Sequence, residues 1–169
     1  MKRQQGFTVT ELMITVVILG VLATLAIPSF TGYIYKARVT EATTFLGEIK
    51  QRQESYRDEF GRYADVSSSL TDFNPSTIPG IDPVAWETTA EWTQLGAAPD
   101  GPTRFSYATV AGRPGVDTPP SGTNLDPEDH WFVARARGDL DEDNTTFDLE
   151  IYSQANHIYN SASGQGGWE

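Results

Sequence analysis

Two stretches of the sequence carry side chains whose type and spacing could do chemistry. The first holds Glu11, the only charge in residues 7–27, FTVTELMITVVILGVLATLAI. A carboxylate in hydrocarbon costs roughly 2.5–3.5 kcal/mol on insertion scales, so it needs either a route to the headgroups one turn away or a cation that meets it in place. The second stretch is acidic. Asp139, Asp141 and Asp143 put a carboxylate at every second position, the backbone carbonyl of Thr145 follows, and Glu150 is the twelfth residue counted from Asp139. That spacing matches most of the D-x-D-x-D…E template for calcium. Asn144 stands at the template's glycine, and asparagine tolerates the left-handed backbone required there. The competing reading is a solvated acidic hairpin, with Glu150 on the outward face of a strand. All the candidate ligands are oxygens, which selects calcium among the common ions.

Other chemistry is poorly supplied. The only histidines, His130 and His157, stand in no metal-ligand or nucleophile spacing, and there is no cysteine to act as nucleophile, thiolate ligand or disulfide partner. Gly164-Gln165-Gly166-Gly167 lacks the strand and helix that a phosphate-binding loop requires. The paired carboxylates of 139–143 have no apolar surroundings in the sequence that would raise one of them into an acid catalyst. These absences argue against an enzyme. With 12 Lys and Arg against 23 Asp and Glu, the net charge of −11 argues against a nucleic-acid partner; Arg135 with Arg137 is no more than a small local basic patch.

The elements that must position these groups are legible in outline. A chain of 169 residues is about one domain. Residues 7–27, as a helix rising ~1.5 Å per residue, span a hydrocarbon layer of ~30 Å. Lys2 and Arg3 lie before that stretch, which predicts a cytoplasmic N-terminus and an exported remainder. The apolar run exceeds the ~7–15 residues of a secretory signal. Beyond Pro28 an amphipathic helix continues through Tyr35, Val39, Ala42, Phe45 or Leu46, Ile49, Tyr56 and Phe60, with one gap at Gln53.

After about residue 60, proline and glycine become frequent. Residues 61–103 are expected to be loops, with one short helix around Val84, Trp86, Trp92 and Leu95. Strand patterns follow at 104–111, 131–137 and 147–153, and a weak one at 157–161; 112–127 reads as an exposed connection and the Gly-rich end as mobile. A long helix packed on a small antiparallel sheet makes the fold class α+β.

Gly6-Phe7-Thr8-Val9-Thr10-Glu11, behind a short basic leader and ahead of an apolar run, resembles the type IV prepilin signature. The resemblance continues to about residue 63, where Tyr56 and Gly61-Arg62-Tyr63 are similar to the end of many pilin helices, with Gly61 as a C-cap. It implies that residues 1–6 are a leader removed by a prepilin peptidase cutting between Gly6 and Phe7, that Phe7 is N-methylated, and that Glu11 faces the terminal amine of a neighbouring subunit. Gly20 and Pro28 fall where the family carries helix-weakening residues. The implied domain plan is a helix over 7–60, transmembrane at about 7–27, and a head over 61–169 with its sheet in 104–161. The implied function is a structural subunit of a type IV pilus, for motility, adhesion or surface interaction. Its partners would be copies of itself, other pilins and the assembly machinery of the inner membrane, and its final location an extracellular or periplasmic filament. The alternatives are a pseudopilin of a type II secretion system and a low-abundance minor pilin with a binding role. Calcium-binding acidic loops also occur among pilins and pseudopilins. The disulfide that closes many pilin heads has no counterpart here.

Overall fold

The computed structural model describes residues 6–160, without the side chains at 27, 28, 29 and 31. Leader residues 1–5, the expected strand end at Ser161 and the Gly-rich stretch to Glu169 lie outside the described residues. The elements are α1 (Val9–Phe60), α2 (Ala90–Leu95), β1 (Ser106–Gly112), β2 (Trp131–Gly138), β3 (Phe147–Tyr152) and β4 (Tyr159–Asn160). The chain falls into two compact units, residues 1–36 and residues 37–169.

In the first unit, α1 contains the apolar stretch Val9–Ala26, with a mean hydropathy of 2.2 and no part of it buried. By length and composition it can cross a membrane. Two of its hydroxyls are satisfied locally: Thr24 Oγ1 donates to the Val21 carbonyl at 2.7 Å, and Thr15 Oγ1 donates to the Glu11 carbonyl. Each such bond gives the hydroxyl donor a carbonyl acceptor in the preceding turn of the same helix. The helix runs through both Gly20 and Pro28.

In the second unit, the remainder of α1 buries Ala42, Phe45, Leu46, Ile49 and Tyr56, as the three-and-four spacing predicts. Gly61 follows with φ 71°, and its N–H donates to the Arg57 carbonyl at 2.8 Å, which closes the helix end. The four strands form one antiparallel sheet in the order β1-β2-β3-β4. The register aligns Tyr107 with Ala136 and Ala136 with Leu149, so these residues share a face. Phe45 of α1 meets Tyr107 edge to face at 4.6 Å, which identifies this as the helix-covered face.

The break in the helix pattern at Gln53 has a physical reason. Its side chain is fully buried, its Oε1 accepts from the Ala64 N–H at 2.8 Å, and its Nε2 donates to the Ala64 carbonyl at 2.9 Å. A buried amide thus pairs a chain segment that enters no regular element.

The opposite face of the sheet carries Trp131, Val133 and Tyr152, which pack with Leu125, Leu70, Val110 and Ala155. The connection at 112–127 is therefore only partly exposed. Thr123 and Leu125 are buried because the sheet has a second apolar patch to cover. β1 leaves at Gly112, where a Cβ would lie 2.1 Å from the Trp131 ring, so only glycine lets that indole lie across the strand. The short helix forms later than the aromatic cluster suggests. Thr89 caps it by accepting from the Trp92 N–H, Trp92 and Leu95 are buried in it, and Trp86 lies before it with its ring 5.0 Å from Trp92.

Candidate functional site

Thr8 stands immediately before α1 and Glu11 is the third helical residue. The Thr8 N–H donates to Glu11 Oε2 at 2.8 Å and the Thr8 hydroxyl donates to the same oxygen at 2.7 Å, while the Glu11 N–H donates to Thr8 Oγ1 at 3.3 Å. This is a capping box, in which two otherwise orphaned donors are satisfied reciprocally. Sequence reasoning that treats Glu11 only as a lone charge misses Thr8, although the T-x-x-E spacing announces it. Gly6 and Phe7 precede the helix in an irregular, exposed segment, with Phe7 86% exposed. At Gly20, apart from the helix backbone around it and its chain neighbours, no described atom lies within 4 Å of where a Cβ would stand, so packing among the described residues gives it no role.

The acidic residues lie in the loop between β2 and β3. One carboxylate oxygen from each of Asp139, Asp141 and Asp143 can be chosen so that all lie within 4.8 Å of one another. Asn144 has φ 66°, the left-handed conformation expected of its position, and its N–H donates to Asp139 Oδ2 at 3.0 Å. The Thr145 N–H donates to Asp143 Oδ1 at 2.6 Å. The loop is anchored from outside: the Asp139 N–H donates to the Pro79 carbonyl at 3.0 Å, the Ile81 N–H to Glu142 Oε1 at 3.1 Å, and Arg38 Nη1 to the Leu140 carbonyl at 2.9 Å.

The surroundings are less polar than the sequence suggests, because Leu140 is fully buried between two of the aspartates. Burial raises the Asp141 carboxyl above the ordinary carboxylate range, and the charge of Asp143 adds to the effect. Asp139 Oδ1 and Asp141 Oδ1 are both buried without a hydrogen-bond partner.

Glu150, the expected twelfth-position ligand, is not brought to this cluster. The β2–β3 register sets it opposite Arg135, where it accepts from Nε at 2.6 Å, lies 2.5 Å from Nη2, and also accepts from the Tyr152 hydroxyl at 2.5 Å. Strand alternation, which puts Phe147, Leu149 and Ile151 on the helix-covered face, turns Glu150 to the other side. Of the two histidines, His157 packs against Tyr159 with the rings tilted and their centroids 4.0 Å apart. The His130 N–H donates to Asp129 Oδ1 at 2.7 Å.

A helix long and apolar enough for a membrane, entered through Thr8 and Glu11 and followed by an antiparallel sheet, is the arrangement against which known proteins can be compared. Residues 1–27 match the prokaryotic N-terminal methylation motif. The type IV major pilin protein PilA of Myxococcus xanthus (strain DK1622) is 40% identical over 68 residues, which cover 40% of this chain and 31% of that protein. A fimbrial protein of Pseudomonas aeruginosa is 46% identical over 55 residues, covering 32% of this chain and 36% of the relative. The type II secretion system core protein G of Aeromonas hydrophila is 32% identical over 89 residues, covering 53% of this chain and 54% of the relative. The chain thus matches about a third to a half of the length of these curated relatives. An N-terminal methylation motif, similarity to pilins and an α+β architecture consistent with the pilin fold coincide in one chain.

Proposed function

We propose that this protein is a structural subunit of a type IV pilus. On this reading a precursor is held in the inner membrane by residues 7–27 with its N-terminus in the cytoplasm. A prepilin peptidase cuts between Gly6 and Phe7, Phe7 is N-methylated, and the assembly machinery passes the mature chain into a filament with copies of itself and other pilins. The observation that carries the reading is the methylation motif over 1–27, which overlaps the unburied apolar stretch Val9–Ala26, whose one acidic side chain, Glu11, sits at the start of α1. In a filament that carboxylate can meet the terminal ammonium of a neighbour. Two buried opposite charges compensate one another, whereas either alone is strongly penalised.

A second reading, a type II secretion pseudopilin, is favoured by the similarity to core protein G, which extends over more of this chain than the pilin matches do. Shearing filaments from the cell surface and identifying their bulk component separates the two. The chain as the main component supports the pilus. A trace amount supports a minor pilin, and no surface fibre together with a secretion defect on deletion supports the pseudopilus.

The acidic loop is proposed to hold a calcium ion through carboxylates of Asp139, Asp141 and Asp143 and the carbonyl of Thr145. Three clustered carboxylates, a left-handed Asn144 and two buried oxygens without partners fit a hard cation. The ion would neutralise the loop and stabilise the head.

A further inference from the structure

We propose that Thr8 is a positioning residue for assembly, which holds one oxygen of Glu11 and leaves the other to a second copy of the chain. The inference rests on the filament reading above and concerns the same helix start. Glu11 Oε2 accepts both donors of Thr8, the N–H and the hydroxyl, at 2.8 and 2.7 Å, whereas no described group of the chain donates to Oε1. An ionised carboxylate has about four lone-pair sites and no donor of its own. In hydrocarbon each unsatisfied site is costly, and hydrogen bonds to charged groups are about twice as strong as neutral ones. Thr8 therefore satisfies half of the group while the chain is still single in the membrane.

The same two bonds fix the direction of the other half. With Oε2 held at the helix end, the side chain cannot sample its full set of rotamers, and Oε1 is presented from a fixed position. A terminal ammonium from a second copy then meets a preorganised oxygen, and less rotamer entropy is lost in forming the pair. Threonine suits this task because its hydroxyl donates to Oε2 while accepting from the Glu11 N–H at 3.3 Å. An aspartate at position 8 would accept from the helix N–H equally well, but its side chain cannot donate to Glu11 and would repel it.

The test uses the full-length chain in its own cells with Thr8→Ser, Thr8→Val and Thr8→Asp, each scored for the mass of the processed chain in membranes and for sheared filament normalised to that processed pool. Thr8→Ser should assemble like the wild type. Thr8→Val should be processed but assemble about tenfold less, the size expected for one charge-assisted hydrogen bond. Thr8→Asp should also fail, although aspartate is among the best N-caps. If Thr8→Asp assembles as well as Thr8→Ser, Thr8 is only a helix cap and the positioning role is overturned. Equal yields from Thr8→Val and wild type overturn it too. If the wild-type chain itself enters no filament, the functional reading fails and takes this inference with it, so the two failures are distinguishable.

Discussion

Replacing Asp141 by Asn should have opposite effects on stability with and without calcium. In the ion-free loop Asp141 faces Asp139 and Asp143, with a carboxylate oxygen of each within 4.8 Å of the others. A like-charge pair at that distance repels by about 1 kcal/mol in water and roughly 3.5 at an effective dielectric of 20. The loop is partly solvated, which puts the value toward the lower end. Removing one charge should then stabilise the ion-free protein by roughly 1–2 kcal/mol, or about 2–8 °C in melting temperature for a chain of this size.

If the loop holds the ion as proposed, calcium should reverse the order. At a hundredfold excess over its Kd the ion adds about 2.7 kcal/mol to the wild type, and Asp141→Asn loses most of that gain. The pH dependence has a definite sign. The Asp141 carboxyl is raised in the folded chain, so the folded state binds its proton more tightly, and ion-free stability is lost as pH rises through the raised value. The advantage of Asp141→Asn without ion should therefore be full at neutral pH and shrink as pH falls through that window. The assay is thermal unfolding of the full chain in detergent, with chelator or calcium, from pH 4 to 7. A variant less stable than wild type in chelator, or equal calcium gains for both proteins, would refute the reasoning.

Three further substitutions test other parts of the structure. Gln53→Ala leaves the buried N–H and carbonyl of Ala64 without partners and should cost about 2–5 kcal/mol, read by denaturant unfolding; a change below 1 kcal/mol would deny the amide its role. Gly112→Ala drives a methyl to 2.1 Å from the Trp131 ring and should cost about 1–3 kcal/mol with an altered near-ultraviolet tryptophan signal, and an unchanged spectrum would contradict the packing. Glu11→Ala should insert and be processed but yield far fewer filaments; wild-type yield would remove the carboxylate from assembly.

Much of this architecture was readable before any coordinates, for physical reasons that differ by element. The helix face at Ala42, Phe45, Leu46 and Ile49 and the alternation of Phe147, Leu149 and Ile151 are period signals that burial enforces. Gln53 looked like a defect because periodicity counts apolar side chains, and a buried amide that pairs with distant backbone carries no local signal. The burial of Leu125 and Thr123 within 112–127 is not legible in the sequence, because nothing in that segment reveals the second apolar face of the sheet. At the acidic loop, the aspartates and Asn144 followed from spacing along one chain segment. The place of Glu150 depended on strand register, which set it against Arg135. Thr8 was not singled out beside Glu11, and its two bonds to a single carboxylate oxygen required the structure.

The most direct test of the filament account is the mass of the mature N-terminus in chains recovered from cells. A chain beginning at Phe7 and carrying one added methyl group is the result predicted here. Recovery of assembled chains that still carry MKRQQG would contradict it, because the terminal ammonium proposed to meet Glu11 would then not exist.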